Sequence, residues 1–593
     1  MILQALASYY DVLAQQGKVG RPGWGTAKVI GALCLDEQGN LIDILSLKTA
    51  NAKGKEIATV KKVPEQVTRS SGVKSNFLCD GPGYLLGLNT KPDEGAKKEA
   101  NEKRAKECFD AAAALHLQLL EGVDSVAAKA VFAFFTNWNP NAEHPILAEH
   151  EDLLKEAGSF LFRIDGMFAQ EDPAIQAAWE SYRSQGTEDG VVMQCAVTGH
   201  KTTVARLHTL IKGVRGAQSS GAALVSFNAS AFTSYGQEQS YNAPVGEQAM
   251  FAYTTALNYL LSSAEHTRIL GDTTVVAWSA NGEPQYTNLG WYCLGGDAKA
   301  AVDDKMLQSM FEALSHGRPY AFEDVTIDPD EPFYILGLAP NAARLSVRFF
   351  WRNTFGHFMK NVQAHYNRLE IVKPAQDERE YLSAGSLLYE TANKKSNDKS
   401  ASPVLVGGLM RAILNDTPYP AALRSAVILR IRAERKVSRG QAALLKAILL
   451  KNPAPIEGKE ICTVALNQDS AYTPYVLGRL FSVLEAIQSA ANKGINTTIK
   501  DRFFNSAAAT PAIIFPRLTQ LAQAHLRRLN SVAQKIWYEQ QLIALHEKLP
   551  EVLPARLSLA EQESFFIGYY HQTQKRFEKK EKADSVKEEE NNA

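Results

Sequence analysis

Residues 225–245, VSFNASAFTSYGQEQSYNAPV, crowd Asn228, Ser230, Thr233, Ser234, Tyr235, Gln237, Gln239, Ser240, Tyr241 and Asn242 together. Amides and hydroxyls both donate and accept hydrogen bonds without carrying charge, which suits the reading of polar edges such as those of nucleobases. Acid–base catalysis asks for a carboxylate or an imidazole instead. Apart from the tyrosines, Glu238 is the one titratable group in the run. The composition fits a hydrogen-bonded turn closing on Pro244, because Ser, Asn, Gly and Pro favour turns for backbone reasons. It also fits a loop that offers uncharged donors to a ligand.

Other chemistries find less support. Metal-dependent nucleases and helicases need clustered carboxylates or a phosphate loop. The turn at residues 198–202, TGHKT, lacks the G-x-x-x-x-G-K-[ST] spacing, since His200 separates Gly199 from Lys201 and position 194 is Gln. Asp324, Asp328, Asp330 and Glu331 surround Pro329 and Pro332, a spacing that reads as an exposed turn. The twelve histidines are dispersed, and the six cysteines, Cys34, Cys79, Cys108, Cys195, Cys293 and Cys462, contain no C-x-x-C pair. No G-x-S-x-G elbow occurs. The chain reads as non-enzymatic, with no catalytic residue, metal or cofactor.

The charged residues are distributed unevenly. Lys plus Arg and Asp plus Glu each number 64, for a formal net charge of zero. Residues 401–578 nevertheless hold 22 basic against 13 acidic side chains. Arg424, Arg432, Arg435, Arg527 and Arg528 stand out there, either as solvated faces or together as a basic groove for the phosphates of a single strand. Residues 344–352 alternate, so Leu345, Val347, Phe349 and Trp351 share one face of a strand, and Arg344, Arg348 and Arg352 share the other with Phe350. Such a ladder either pairs with acidic neighbours or grips phosphates in bidentate fashion. A basic segment, residues 50–73, includes Arg69 and leads to Lys74 and Asn76; it is a solvated edge or a phosphate contact.

The predicted elements make an α+β protein: a mixed N-terminal α/β region with antiparallel hairpins, then an all-α helical bundle. The expected domains are residues 1–373, a linker at 374–403, the bundle at 404–578, and a disordered tail at 579–593, which is nearly free of apolar groups. Hairpins are predicted around residues 36–40 and around Gly81-Pro82-Gly83, with a strand at 222–227 before the amide-rich loop and a helix at 247–262 after it. Eight C-terminal helices are predicted with short connections. The first residues form an amphipathic helix with no basic leader, and no run approaches the length of a membrane span, so a soluble cytoplasmic protein is expected.

The pattern SFN-x-x-AF-x-SYG-x-x-QS-x-NAPV, with CAVTG at 195–199, ARLHTLIKG at 205–213, FYILGLAPNAARLSVR at 333–348 and FIGYYH at 566–571, resembles the large subunit of the type I-C CRISPR interference complex, Cascade. The resemblance covers nearly the whole chain in order. It implies a subunit that recognises the protospacer-adjacent motif in duplex DNA, helps open the duplex, stabilises the displaced strand and recruits a separate helicase-nuclease. Its implied partners are the guide RNA, the backbone and handle-binding subunits, and small subunits corresponding to its own C-terminal region from about residue 464. Motif-binding candidates are then Lys74, Asn76, Asn228, Ser230, Tyr235, Gln237, Gln239 and Asn242. Arg69, Arg344, Arg348, Arg352 and the helical arginines fall to phosphates or RNA. No methionine follows Met410, so an internal start would need a non-AUG codon. Two other readings are an adaptor that binds nucleic acid without reading the motif, and an enzyme with a dispersed active site.

Overall fold

The computed structural model describes residues 1–50, 56–67, 72–90, 95–184, 190–295, 304–397, 401–452 and 459–591. Its contacts divide the chain into two units, residues 1–209 with 225–256, and residues 210–224 with 257–593. Helix Glu247–Ser262 runs from one into the other.

The first unit is built on the strand Trp24–Leu35, which is long enough to take two antiparallel partners end to end. Residues 24–29 pair with Thr59–Pro64 and residues 31–35 with Leu41–Ser46, while Ser159–Ile164 lies parallel along the other edge. The hairpin at 36–40 forms as its sequence predicts: Asp36 Oδ1 accepts the N–H groups of Gln38 and Asn40, and Gly39 takes φ 84°. Helices Ala96–Leu120 and Val126–Asn137 cover the sheet, burying Val131 and Phe134 with Leu33, Phe160 and Phe162. The second expected hairpin is absent. Residues Cys79–Asp80 form a two-residue strand, and Pro82 opens the short helix Pro82–Leu85, where its missing N–H costs nothing.

In the second unit four antiparallel strands run in the order Thr267–Leu270, Thr273–Ser279, Pro332–Asn341, Arg344–Thr354. The expected strand at 222–227 shrinks to single bridges, Ala222 to Ile211 and Ala223 to Arg344, because no neighbour continues the ladder. The apolar side of the sheet, with Ile335, Phe349 and Trp351, shares one continuous core with the helices that follow. Residues 374–403 contribute to that core through helix Ala384–Tyr389, whose Leu387 and Leu388 are buried.

Local signals set the C-terminal helices. Pro403, Pro474 and Pro511 occupy first-turn positions, and Ser438 with Gln441 and Thr498 with Asp501 make capping boxes. Helices Thr473–Ala491 and Leu559–Asn591 approach closely at two glycines. A Cβ on Gly478 would stand 2.0 Å from Phe565 O, and one on Gly568 would stand 2.2 Å from Tyr475 O. The final helix spans Leu559–Asn591.

Candidate nucleic-acid interface

The amide-rich loop is mostly exposed. One-turn 3-10 helices at Ser230–Phe232 and Gln239–Asn242 flank a two-residue hairpin turn in which Gln237 N donates to Ser234 O at 2.9 Å. Tyr235 at φ 50° and Gly236 at φ 72° give it the doubly left-handed form that matches the twist of a hairpin. Glycine adopts that form freely, but tyrosine carries strain there. Tyr235 is 100% exposed, so its ring packs on nothing and stabilises nothing in the fold. Asn228 and Ser230 are exposed and Gln237 is half-buried.

Two of the expected base readers serve the loop itself. Asn242 Oδ1 accepts from Ser234 N, and its amide donates to Gln237 O and Gln239 O. Gln239 Oε1 accepts from Arg206 Nε at 2.7 Å. The loop is anchored at its exit by residues 195–205: Ala196 N donates to Pro244 O at 2.7 Å, Ala205 N to Val245 O at 2.9 Å, and Gly246 N to Cys195 Sγ at 3.2 Å. Burial pushes the Cys195 thiol up, but hydrogen bonds from Thr198, Gly246 and Val197 outweigh it and hold the thiol below its ordinary range. A Cβ on Gly246 would stand 2.4 Å from Thr202 Cγ2, so any side chain there would force Thr202 to move.

Lys74 is exposed, on a segment held by buried polar groups. Asn76, expected to face DNA, is instead 7% exposed; its Oδ1 accepts from Val67 N at 2.8 Å and its N–H donates to Asp80 Oδ2 at 3.0 Å. It braces the segment because a buried amide must find such partners. Leu78, at φ 59°, gives its N–H to His116 Nε2 at 2.8 Å. Cations line the neighbouring strand, with Lys61 over the Phe168 ring and Lys62 over Trp24. Arg69 lies outside the described residues.

In the second unit the strand Arg344–Thr354 bulges at Arg348, where Phe349 pairs with Gly337 but Val347 with Leu338. The expected single apolar face therefore breaks, Val347 is 42% exposed, and the expected arginines separate. Arg352 is exposed on its strand and Arg344 half-buried, whereas Arg348 pairs with Asp272 at 3.0 Å. Beside them Phe350, Tyr334 and Trp278 stack face to face across three strands. Arg424 is not a phosphate ligand: it pairs at 2.5 Å with Glu563, whose side chain is fully buried. Burial pushes the Glu563 carboxyl up to about 8 against the pull of Arg424. Arg432 donates to Gln562 Oε1 and is likewise committed to the fold. Arg435, a left-handed helix cap, remains exposed, as do Arg527 and Arg528 at the end of helix Pro511–Leu526.

One basic feature escaped the sequence reading. Exposed Arg502 and Arg517 approach the ring of Phe503 to 5.5 and 5.7 Å. The adjacency of Arg502 and Phe503 on a predicted helix was its only available signal. Guanidinium groups flanking an aromatic ring present both phosphate donors and a stacking surface.

The acidic cluster is a turn, as its spacing predicts: Asp328 Oδ1 accepts from Asp330 N at 2.9 Å, and Glu331 Oε1 from Asn281 N at 2.7 Å. Among the described residues no group of three or more His, Cys, Asp or Glu is placed to hold a metal ion, and no helix is long and apolar enough to cross a membrane. No curated protein matches the chain. The family model for the CRISPR-associated protein (Cas_Csd1) does match, over residues 6–577, and the chain therefore belongs to that CRISPR-associated family.

Proposed function

We propose that the chain is the non-catalytic large subunit of a type I-C CRISPR guide-RNA complex, acting in the cytoplasm to recognise the protospacer-adjacent motif in duplex DNA. In this division of labour base pairing to the guide supplies sequence specificity, so the protein reads a few base pairs and favours strand separation. The family match supports a place in CRISPR defence. The observation that carries the finer reading is Tyr235, an aromatic ring wholly in solvent on a constrained turn among amide and hydroxyl groups. An exposed ring of this kind fits a wedge that replaces the stacking partner of the last base pair, as inserted side chains do where proteins unstack a duplex.

Asn228, Ser230 and Gln237 flank that ring as uncharged donors, and Lys74 adds a cation elsewhere in the same unit. Minor-groove acceptors on A·T pairs suit such donors. Arg435, Arg527, Arg528 and the Arg502–Phe503–Arg517 cluster hold the displaced strand, while Arg344 and Arg352 contact phosphates or the guide RNA. The backbone and handle-binding subunits, the small subunits and a separate helicase-nuclease complete the assembly.

The test is binding of the assembled guide complex to duplexes that differ only in the motif, with Lys74→Ala, Asn228→Ala and Tyr235→Ala variants. Loss of discrimination in the first two, and of strand opening in the third, is expected. Unchanged discrimination and opening in all three would refute the assignment.

A further inference from the structure

The shape of the exposed turn depends on one side chain. Asn242 Oδ1 accepts from Ser234 N at 2.8 Å, and both hydrogens of its amide are engaged, by Gln237 O at 2.7 Å and Gln239 O at 2.9 Å. Ser234 and Gln237 are the two residues bridged across the turn, so Asn242 holds both of its feet at once. Between them Tyr235 keeps a left-handed backbone at φ 50° with its ring fully exposed. The backbone therefore sets the direction of the Tyr235 Cα–Cβ bond, while the unpacked ring still turns among its staggered rotamers. Gln239, also left-handed at φ 49°, is held on its other side by Arg206.

The loop's exit is tied down independently of this clamp. Pro244 and Val245 carbonyls and the Gly246 N–H bond to residues 195–205, several positions beyond Asn242. Loss of Asn242 therefore loosens the tip and leaves the root in place. Ser234 is exposed and Asn242, Gln237 and Gln239 are half-buried, so water replaces the lost bonds at little cost to overall stability.

We propose that Asn242 is a positioning residue whose carboxamide reads no base but locks the turn at 234–237, so that the backbone presenting Tyr235 meets the duplex end already shaped. This rests on the reading of Tyr235 as a wedge. Preorganisation matters because a turn backbone ordered before binding loses less conformational freedom on binding. Asn242 then affects strand opening only through Tyr235, which separates it from a residue with a DNA contact of its own.

The test uses the full chain as parent, Asn242→Ala, Tyr235→Ala and the double variant. Hydrogen exchange without nucleic acid reads the clamp, and 2-aminopurine beside the motif, in the assembled guide complex, reads strand opening. In Asn242→Ala, exchange at the Gln237 amide rises about tenfold or more while the melting temperature holds, as expected for local opening. The opening signal falls toward that of Tyr235→Ala, and the double variant falls no further, because two residues acting through one contact are non-additive. Unchanged exchange overturns the clamp. Losses that multiply in the double variant overturn the claim that Asn242 acts through Tyr235. A Tyr235→Ala variant that opens the duplex as well as the parent refutes the wedge reading and the functional half of the proposal, and the exchange result still decides whether the clamp exists.

Discussion

Acidification tests how the Lys74 segment is held. His116 is fully buried, with Nδ1 at 2.7 Å from Ala112 O and Nε2 at 2.8 Å from Leu78 N. Since Leu78 N can only donate, Nε2 must be the unprotonated nitrogen, and the ring is neutral with its hydrogen on Nδ1. Burial lowers its pKa from 6.5 to about 4, and the bond to Ala112 opposes that shift only in part. A histidine whose folded pKa is depressed contributes stability that is present above the unfolded value and is lost as pH falls toward the folded value. With unfolded and folded values of 6.5 and about 4, the loss between pH 7 and pH 5 is about 2 kcal/mol, from ~1.4 kcal/mol per unit less the part already titrated at pH 7.

His116→Gln keeps an acceptor for the Leu78 N–H and removes the titration. It forfeits the ring stacked 4.3 Å from Phe135, so it starts about 1–2 kcal/mol weaker at pH 7. The expected result is a shallower decline in urea stability from pH 7 to pH 5 in the variant than in the parent. Two-dimensional NMR of ring-labelled histidine supplies the second measurement, a His116 resonance that stays neutral through pH 5. A His116 titration midpoint near 6.5, or equal slopes in the two proteins, would refute the argument.

Two contrasts probe the second unit. Arg424→Ala removes the cation that pulls the Glu563 carboxyl down, so the carboxyl keeps its proton through neutral pH. The substitution should cost ~1–3 kcal/mol in urea unfolding, the penalty of a buried polar group left without its partner. Arg527→Ala combined with Arg528→Ala should leave unfolding unchanged but flatten the salt dependence of single-strand binding by about 1.4 in log–log slope, two contacts at ~0.7 each. The second contrast concerns glycines. Gly478→Ala must separate two helix backbones, because its Cβ would lie 2.0 Å from Phe565 O, and should destabilise by ~3 kcal/mol or more. Gly385→Ala meets nothing nearer than 3.9 Å inside helix Ala384–Tyr389 and should stabilise by ~0.5–1 kcal/mol through the unfolded chain. Equal melting temperatures for these two variants would contradict the close helix crossing.

What the sequence revealed depended on how far along the chain each answer lay. The strand Arg344–Thr354 was legible as a strand but not as one alternating face, because the bulge between Val347 and Phe349 breaks the period of two. The helices after residue 403 were legible because Ser438, Thr498, Pro403 and Pro511 mark their starts within a turn. The amide-rich loop was legible as a surface, since so many polar side chains in one short run cannot all be buried. The run at 222–227 looked like a strand because apolar character is local, but a ladder needs a continuous partner, and Ala222 and Ala223 each find only a single bridge.

Assigning roles to individual polar side chains required partners that the sequence does not reveal. Arg424 and Arg527 are equivalent as letters on amphipathic helices, but Glu563 lies opposite one of them and solvent surrounds the other. Asn76 and Asn228 are both amides beside basic or aromatic residues, but Val67 N and Asp80 bury the first while the second stays exposed. Buried polar groups must be satisfied, so each side chain enlisted to satisfy one is withdrawn from the surface available to a ligand. Of the residues singled out, Lys74, Asn228, Ser230, Tyr235, Arg352, Arg435, Arg527 and Arg528 lie exposed at the surface, and Arg502 and Arg517 join them. The withdrawn residues still bear on function. Asn242 and His116 hold backbone at left-handed residues, Tyr235 and Leu78, that would otherwise relax, so the surface offered to nucleic acid is shaped by polar groups that need never touch it.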